Sequence, residues 1–195
     1  PLGKVSIQWS RSFAYAIGLI VTDGCLSRDG RHIDFTSKDV ELVETFRVCL
    51  GLKNNIGKKT RGGESIKKYF RVQFGDKIFY QYLISIGLSP AKSKTLAALR
   101  VPDEFFFDFF RGCIDGDGSI TTNSHPESTL LQLKVRLVSA SSNFLVWMLE
   151  AIHRLAPEVR GGWVSKALEK GIYSLTFGKS DSIKLLKEMY IPKPD

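Results

Sequence analysis

The sequence predicts an α+β fold made of two copies of one unit, each running helix, strand, strand, helix, strand, strand, helix. Three observations point to it. Ala16-Ile17-Gly18-Leu19-Ile20-Val21-Thr22-Asp23-Gly24 and Phe110-Arg111-Gly112-Cys113-Ile114-Asp115-Gly116-Asp117-Gly118 are matched apolar segments, each with a central glycine and a terminal Asp-Gly. Their aspartates lie 94 residues apart in a chain of 195. After each segment come strands with period-two alternation, and Phe70, Val72, Phe74 and Gly75 read like Tyr173, Leu175, Phe177 and Gly178 at an offset of 103.

In the first copy, Ser12 is the expected N-cap of a helix to Val21 that is apolar almost all round and therefore buried on several sides. Gly24 ends it. A hairpin turns at Ser27-Arg28-Asp29-Gly30, with Arg31 to Thr36 as its second strand. Ser37-Lys38-Asp39 caps a helix to about Leu50, on which Leu42, Val43, Phe46 and Leu50 recur at helical spacing. Gly57 to Arg61 and Lys67 to Phe74 form a second hairpin around Gly62-Gly63, and Asp76 opens a helix that Gly87 stops.

The second copy repeats the series. Asp103 is the expected cap of its first helix, after Pro102. Strands follow at Ser119–Asn123 and Leu130–Val138, with Asn123 to Ser128 as an inserted polar loop. A helix from Ser142 to Leu155, strands at Val159–Lys166 and Ile172–Phe177, and a helix from Ser180 to Met189 complete it. Phe35-Thr36-Ser37 aligns with Val138-Ser139-Ala140, again at 103. The boundaries expected are residues 4–88 for the first repeat, 89–102 for a linker and 103–195 for the second; so short a linker favours halves that pack together.

A net charge of +8 favours an anionic partner, nucleic acid before a membrane surface. No apolar run reaches membrane-spanning length, so no membrane role is expected. Cys25, Cys49 and Cys113 are odd in number and widely spaced, which argues against disulfides and structural zinc and fits a reducing, intracellular compartment. The scattered His32, His125 and His153 do not assemble histidine-based metal or nuclease chemistry; His153 and Cys113 read as core residues.

Gly18 and Gly112 each cost a helix about 1 kcal/mol relative to alanine, a cost that marks close backbone approach. If the glycine faces pack together, Asp23 and Asp117 converge at the negative ends of two helices and repel unless cations sit between them. Such an oxygen-rich site suits Mg2+, with Mn2+ or Ca2+ able to occupy it, and the backbone carbonyls of Thr22 and Gly116 are further expected ligands. The competing reading is that Asp-Gly merely turns the chain out of a helix. A calcium loop at Asp115-Gly116-Asp117-Gly118 lacks its later ligands.

On the strands, His32, Asp34 and Thr36, then Lys67, Tyr69, Arg71 and Gln73, then Gln132, Lys134 and Arg136 alternate with apolar residues. An exposed sheet face is polar in any case, but these side-chain types read base edges in the major groove. Lys58, Lys59, Arg61 and Lys68 add a basic cluster for phosphates. Arg28, Arg31, Ser119, Thr121, Asn123, Arg160 and Lys166 complete the expected set of double-stranded DNA contacts.

The two Asp-Gly segments and the repeat resemble the LAGLIDADG homing endonucleases over essentially the whole chain, in the monomeric two-motif branch with internal pseudo-two-fold symmetry. The first copy departs from the motif at Val21 and Thr22. The resemblance implies a saddle of two antiparallel four-stranded sheets packed through the motif helices. It also implies an intron-encoded, site-specific endonuclease whose Asp23 and Asp117 bind divalent metal and cut both strands across the minor groove, leaving short 3′ overhangs. The family often places a lysine after each half's third helix. Lys92, in Leu88-Ser89-Pro90-Ala91-Lys92-Ser93, fits that place; in the second half only Lys193, within Ile191–Asp195, stands near it. The alternatives on the same scaffold are a non-cleaving DNA-binding regulator and an RNA-binding intron maturase.

Overall fold

The computed structural model describes residues 3–60, 69–125, 128–167 and 171–191, and over 123–125 and 128–130 the backbone alone. The first half runs α1 (Arg11–Asp23), β1 (Gly24–Leu26), β2 (His32–Ser37), α2 (Val40–Cys49), β3 (Gly57–Lys59), β4 (Tyr69–Gly75) and α3 (Lys77–Ser85). The second runs α4 (Phe106–Asp117), β5 (Gly118–His125), β6 (Ser128–Ser139), α5 (Ser142–Leu155), β7 (Trp163–Lys166), β8 (Tyr173–Phe177) and α6 (Lys179–Tyr190). Each half holds an antiparallel four-stranded sheet, in the orders β1-β2-β4-β3 and β5-β6-β8-β7. No helix among the described residues is long and apolar enough to cross a membrane.

Each sheet is apolar on one face and polar on the other. Ile33, Phe35, Val72 and Phe74 of the first sheet, and Val135, Leu137, Leu175 and Phe177 of the second, are buried towards the helices. Phe35 stacks on Phe46 of α2 with ring centroids 4.6 Å apart. At roughly 1.5–3 kcal/mol for each fully buried large apolar side chain, these rows hold the helix layer against the sheets. The other faces stay open. Asp39, Asp76 and Ser141 cap α2, α3 and α5 with their side chains. Asp76 also takes the backbone N–H of Val5 at 3.0 Å, tying the N-terminal segment to the first half.

The motif helices α1 and α4 pack backbone to backbone. A Cβ placed on Gly18 would lie 2.2 Å from the carbonyl oxygen of Phe109, and one on Gly112 would lie 2.1 Å from that of Tyr15. The mid-helix glycines are therefore the contact surface itself. The helices leave the contact through Gly24 and Gly118, where a Cβ would sit 2.6 Å from the carbonyl oxygens of Ile20 and Ile114. Only glycine lets the chain pass so abruptly from the last residue of a helix into a strand.

Several local expectations are corrected. The N-cap of α1 is Ser10, which accepts from the N–H of Phe13 at 3.1 Å, because the helix starts one residue before Ser12. Asp103 lies in a 3₁₀ turn ahead of α4 and pairs instead with Arg154, Nη2 to Oδ1 at 2.7 Å. Of the expected inserted loop, Asn123 to His125 and Ser128 belong to β5 and β6, with Asn123 opposite Gln132, while 126 and 127 lie outside the described residues. β7 starts only at Trp163, after Gly162 at φ 110°. Phe35 corresponds to Leu137, not Val138: both are buried, both lie across from the glycine that ends a motif helix, and they pair with the equivalent Val72 and Leu175. The offset in this strand is thus 102, and the repeat gains its last residue between strands.

Gly18→Ala forces a methyl group into a backbone oxygen. It is expected to lower unfolding free energy by about 3 kcal/mol or abolish folding, whereas Val48→Ala on the exposed side of α2 shifts it by less than about 0.5 kcal/mol. Urea denaturation of both variants checks this.

Candidate nuclease centre and nucleic-acid interface

The α1–α4 contact brings Asp23 and Asp117 together at one end of the helix pair. Oδ2 of Asp23 lies 3.4 Å from where a Cβ on Gly116 would stand, and the Thr22 side chain fills the remaining space over Gly116, its Oγ1 2.0 Å from that position. Thr22 Oγ1 itself donates to the carbonyls of Gly18 and Leu19, at 3.3 and 3.1 Å. Asp117 is open to solvent, yet the body of the protein behind it raises its carboxyl above the ordinary range, and Lys92 opposes that push.

Lys92 is the cation of this centre. It is 8% exposed, follows Ala91 at φ 57°, and its Nζ donates to the carbonyl of Gly24 at 2.5 Å. A left-handed alanine costs about 1–2 kcal/mol, and this one turns Lys92 inward. The N–H groups of Thr95 and Leu96 hold its carbonyl at 3.0 and 2.8 Å. Burial lowers the ammonium pKa, and Cys25, Asp117, Asp23 and Asp34 push it back up. One lysine therefore senses both motif aspartates. Lys193 lies outside the described residues.

The donor set fits a hard divalent cation. Asp23 and Asp117 are the last residues of two packed helices, at their negative ends, and each follows directly on the backbone carbonyl of Thr22 or Gly116. Among the described residues no group of three or more His, Cys, Asp and Glu gathers for a metal. A cation here would draw its other ligands from water and phosphate.

The open sheet faces flank the acids. On the first, Cys25 pairs with Asp34 and Asp34 with Gln73; Thr36 pairs with Arg71 and Lys59 with Tyr69. A groove of about 500 Å³ runs from Asp23 past Cys25, Asp34 and Thr36 to Lys59 and Tyr69. Lys38 stands over the Tyr69 ring at 5.6 Å. His32 is held by Asp29 through Nδ1 and touches Arg31, and Arg28 is exposed in the same turn. On the second sheet, Ser119 pairs with Arg136 and Thr121 with Lys134, all four exposed.

Two expected contacts fall elsewhere. Lys166 pairs with Tyr173, on the side of Val164 and Leu175, so alternation turns it towards the helix layer. Arg160 precedes β7 in a loop whose N–H is bonded to Asp181 of α6 at 3.1 Å, off the open strands. Arg61 and Lys67 lie outside the described residues. Trp163 was not foreseen. It is 49% exposed and pairs with Thr176 on the open face, in line with Arg136 and Ser119. A four-residue strand is too short to show alternation, and a tryptophan reads as core.

No protein-family model and no curated protein matches the chain. Solved structures do. The N-terminal LAGLIDADG domain of DUF199/WhiA is 14% identical with a TM-score of 0.61, over 98% of this chain and 88% of that one. The homing endonuclease I-DmoI, in complex with DNA and Mn, is 14% identical with a TM-score of 0.57, over 94% and 98%. The meganuclease I-SmaMI, bound to uncleaveable DNA, is 13% identical with a TM-score of 0.56, over 94% and 86%. The chain has the LAGLIDADG fold.

The two LAGLIDADG helices are not chemically equal. Asp115 stands where α1 has Val21, and Tyr15 where α4 has Phe109. The Tyr15 hydroxyl donates to Asp115 Oδ2 at 2.8 Å, that of Tyr190 to Oδ1 at 3.4 Å, and Arg111 lies over both rings. Burial, reinforced by Asp115, holds the Tyr15 phenol far above its ordinary range. Asp115 is thus engaged in the helix interface and is not a third acid of the centre.

The raised carboxyl of Asp117 has a consequence for stability. Its charged form is penalised only in the fold, so stability falls as pH rises from the unfolded value of 3.8 through the higher folded value. In metal-free buffer Asp117→Asn is expected to raise the melting midpoint at pH 7, with the gain vanishing below pH 3.8. A lower midpoint at pH 7 would contradict this.

Proposed function

We propose that the chain is a site-specific double-stranded DNA endonuclease that hydrolyses both strands of a long target with a divalent metal, as a monomer with internal pseudo-two-fold symmetry. The observation that carries it is that Asp23 and Asp117 end two backbone-packed helices on the same side, with an open polar sheet face carrying Lys and Arg in each half. I-DmoI with DNA and Mn, and I-SmaMI with DNA, share this fold and support the partner and the metal class.

The sheets would hold the duplex. Arg71, Lys59, Lys134 and Arg136 neutralise phosphates or read bases, and Gln73 and Gln132 supply further donors and acceptors. Asp23 and Asp117, with the carbonyls of Thr22 and Gly116, would hold Mg2+, which when bound activates water and offsets charge on the attacked phosphate. Lys92 would place its ammonium beside a phosphate oxygen. Its burial lowers the cost of giving up a proton, which suits it to proton transfer at Nζ.

A second reading is a DNA-binding regulator that does not cut. The fold is shared with the LAGLIDADG domain of DUF199/WhiA as well as with homing endonucleases, so the fold by itself does not entail cutting. Incubation with a randomised duplex library and Mg2+, with a chelator control, separates the two. Cleavage that the chelator stops supports the endonuclease; retention of selected duplexes without cleavage supports the regulator. Asp23→Asn and Asp117→Asn should each abolish double-strand cleavage while leaving binding intact, and Lys92→Met should slow it by about 10²-fold or more. Undiminished cleavage by either aspartate variant would overturn the assignment.

A further inference from the structure

The corrected strand register exposes a difference between the halves at equivalent positions. Gly24 and Gly118 follow the two motif aspartates. Cys25 and Ser119 come next, and across the ladder from them stand Asp34 and Arg136. Pseudo-symmetry therefore places an acid and a base at the same point of the two open faces, one strand in from each catalytic carboxylate. Both point away from the helices, because their neighbours Ile33, Phe35, Val135 and Leu137 are buried. Among the described strand residues Asp34 is the sole acid on either open face.

An acid on a surface that meets phosphates is unfavourable unless something takes up its charge. Asp34 lies within electrostatic reach of the Lys92 ammonium, an opposite charge on its own half. In the major groove a carboxylate has one good base partner, the N4 amino group of cytosine, and a guanidinium has O6 and N7 of guanine. The rest of each row extends the contrast. The first continues from Asp34 to Gln73, suited to adenine. The second continues from Arg136 through Thr176 to the exposed Trp163, whose face suits a thymine methyl.

Resting on the DNA-binding reading above, we infer that Asp34 and Arg136 are paired specificity determinants that make the target unequal about its centre: Asp34 selects cytosine in one half-site, and Arg136 selects guanine at the symmetry-related position of the other, each read on the strand that the residue faces. A true palindrome would present the same base at both places. The chain favours a target that breaks two-fold symmetry there.

The test is selection of a randomised duplex library by binding, in EDTA, so that neither metal nor cleavage enters the readout. Wild type, Asp34→Asn and Arg136→Gln are compared. Both positions are on the open face, Asp34→Asn is isosteric and Arg136→Gln shortens a solvent-exposed side chain, so folding is checked by melting and is expected to hold. Wild type should enrich a C in one half and, at the position equidistant from the centre in the other half, a G on the opposite strand, so that one strand carries C at both positions where a palindrome would carry C and G. Arg136→Gln should convert the guanine preference to adenine, with about a tenfold change in relative affinity at that position alone. Asp34→Asn should convert the cytosine preference to adenine in the other half. If duplexes are enriched and neither variant changes the preferred base, the inference is overturned while the DNA-binding reading stands. If both variants lose affinity for all sequences equally, the residues contact phosphate or support folding, and the inference is likewise overturned. If wild type enriches no duplex, the DNA-binding reading itself has failed.

Discussion

The contact between the backbones of α1 and α4 is the constraint on which everything else in the molecule depends. Two helices normally keep 8–10 Å between axes because side chains intervene. Here Gly18 and Gly112 remove them, and the carbonyls of Tyr15 and Phe109 occupy the vacated space. That closeness carries to the ends of the helices, where Gly116 admits the Thr22 side chain and Asp23 approaches. Without it two carboxylates would belong to two separate half-sites. With it they form one centre, an arrangement that costs repulsion and that a cation relieves.

Around this near-symmetric axis the chain has become unsymmetrical in chemically specific ways. Tyr15 and Asp115 form a hydrogen bond across the helix pair for which Phe109 and Val21, at the matching positions, have no polar equivalent. Lys92 lies deep in the first half and senses both acids. The β5–β6 hairpin is longer than β1–β2, and the open faces differ at Asp34 and Arg136. An internal duplication needs no such differences to fold. They allow the two halves to meet different surfaces.

Much of this was legible in the sequence because the signals were strong and local. A glycine amid Ala16-Ile17 and Leu19-Ile20 is expensive enough to require a reason, and its repetition at Gly112 supplied one. Alternation along 69–74 and 131–137 gave the sheet faces, and Asp39 and Asp76 declared their helix starts. Lys92 was reachable through family resemblance alone, since nothing in the composition of 88–93 shows that a left-handed Ala91 turns it inward. Strand register was legible only to within one residue, because Leu137 and Val138 are both apolar and burial alone distinguishes them. Short strands hid Trp163 and misplaced Lys166, since four residues cannot establish a period of two. The Tyr15–Asp115 bond joins residues 100 apart and leaves no trace in the spacing of either.

The most direct measurement of the central claim is chemical cross-linking between positions 23 and 117. Asp23→Cys and Asp117→Cys are introduced together in a Cys25→Ser background, which removes the exposed thiol while Cys113 stays buried. A short bis-alkylating reagent is then applied under native conditions. The account predicts one intramolecular bridge, seen by peptide mass as 23 joined to 117, and no such bridge in either single variant. Two independent adducts at 23 and 117, with no bridge between them, would contradict it.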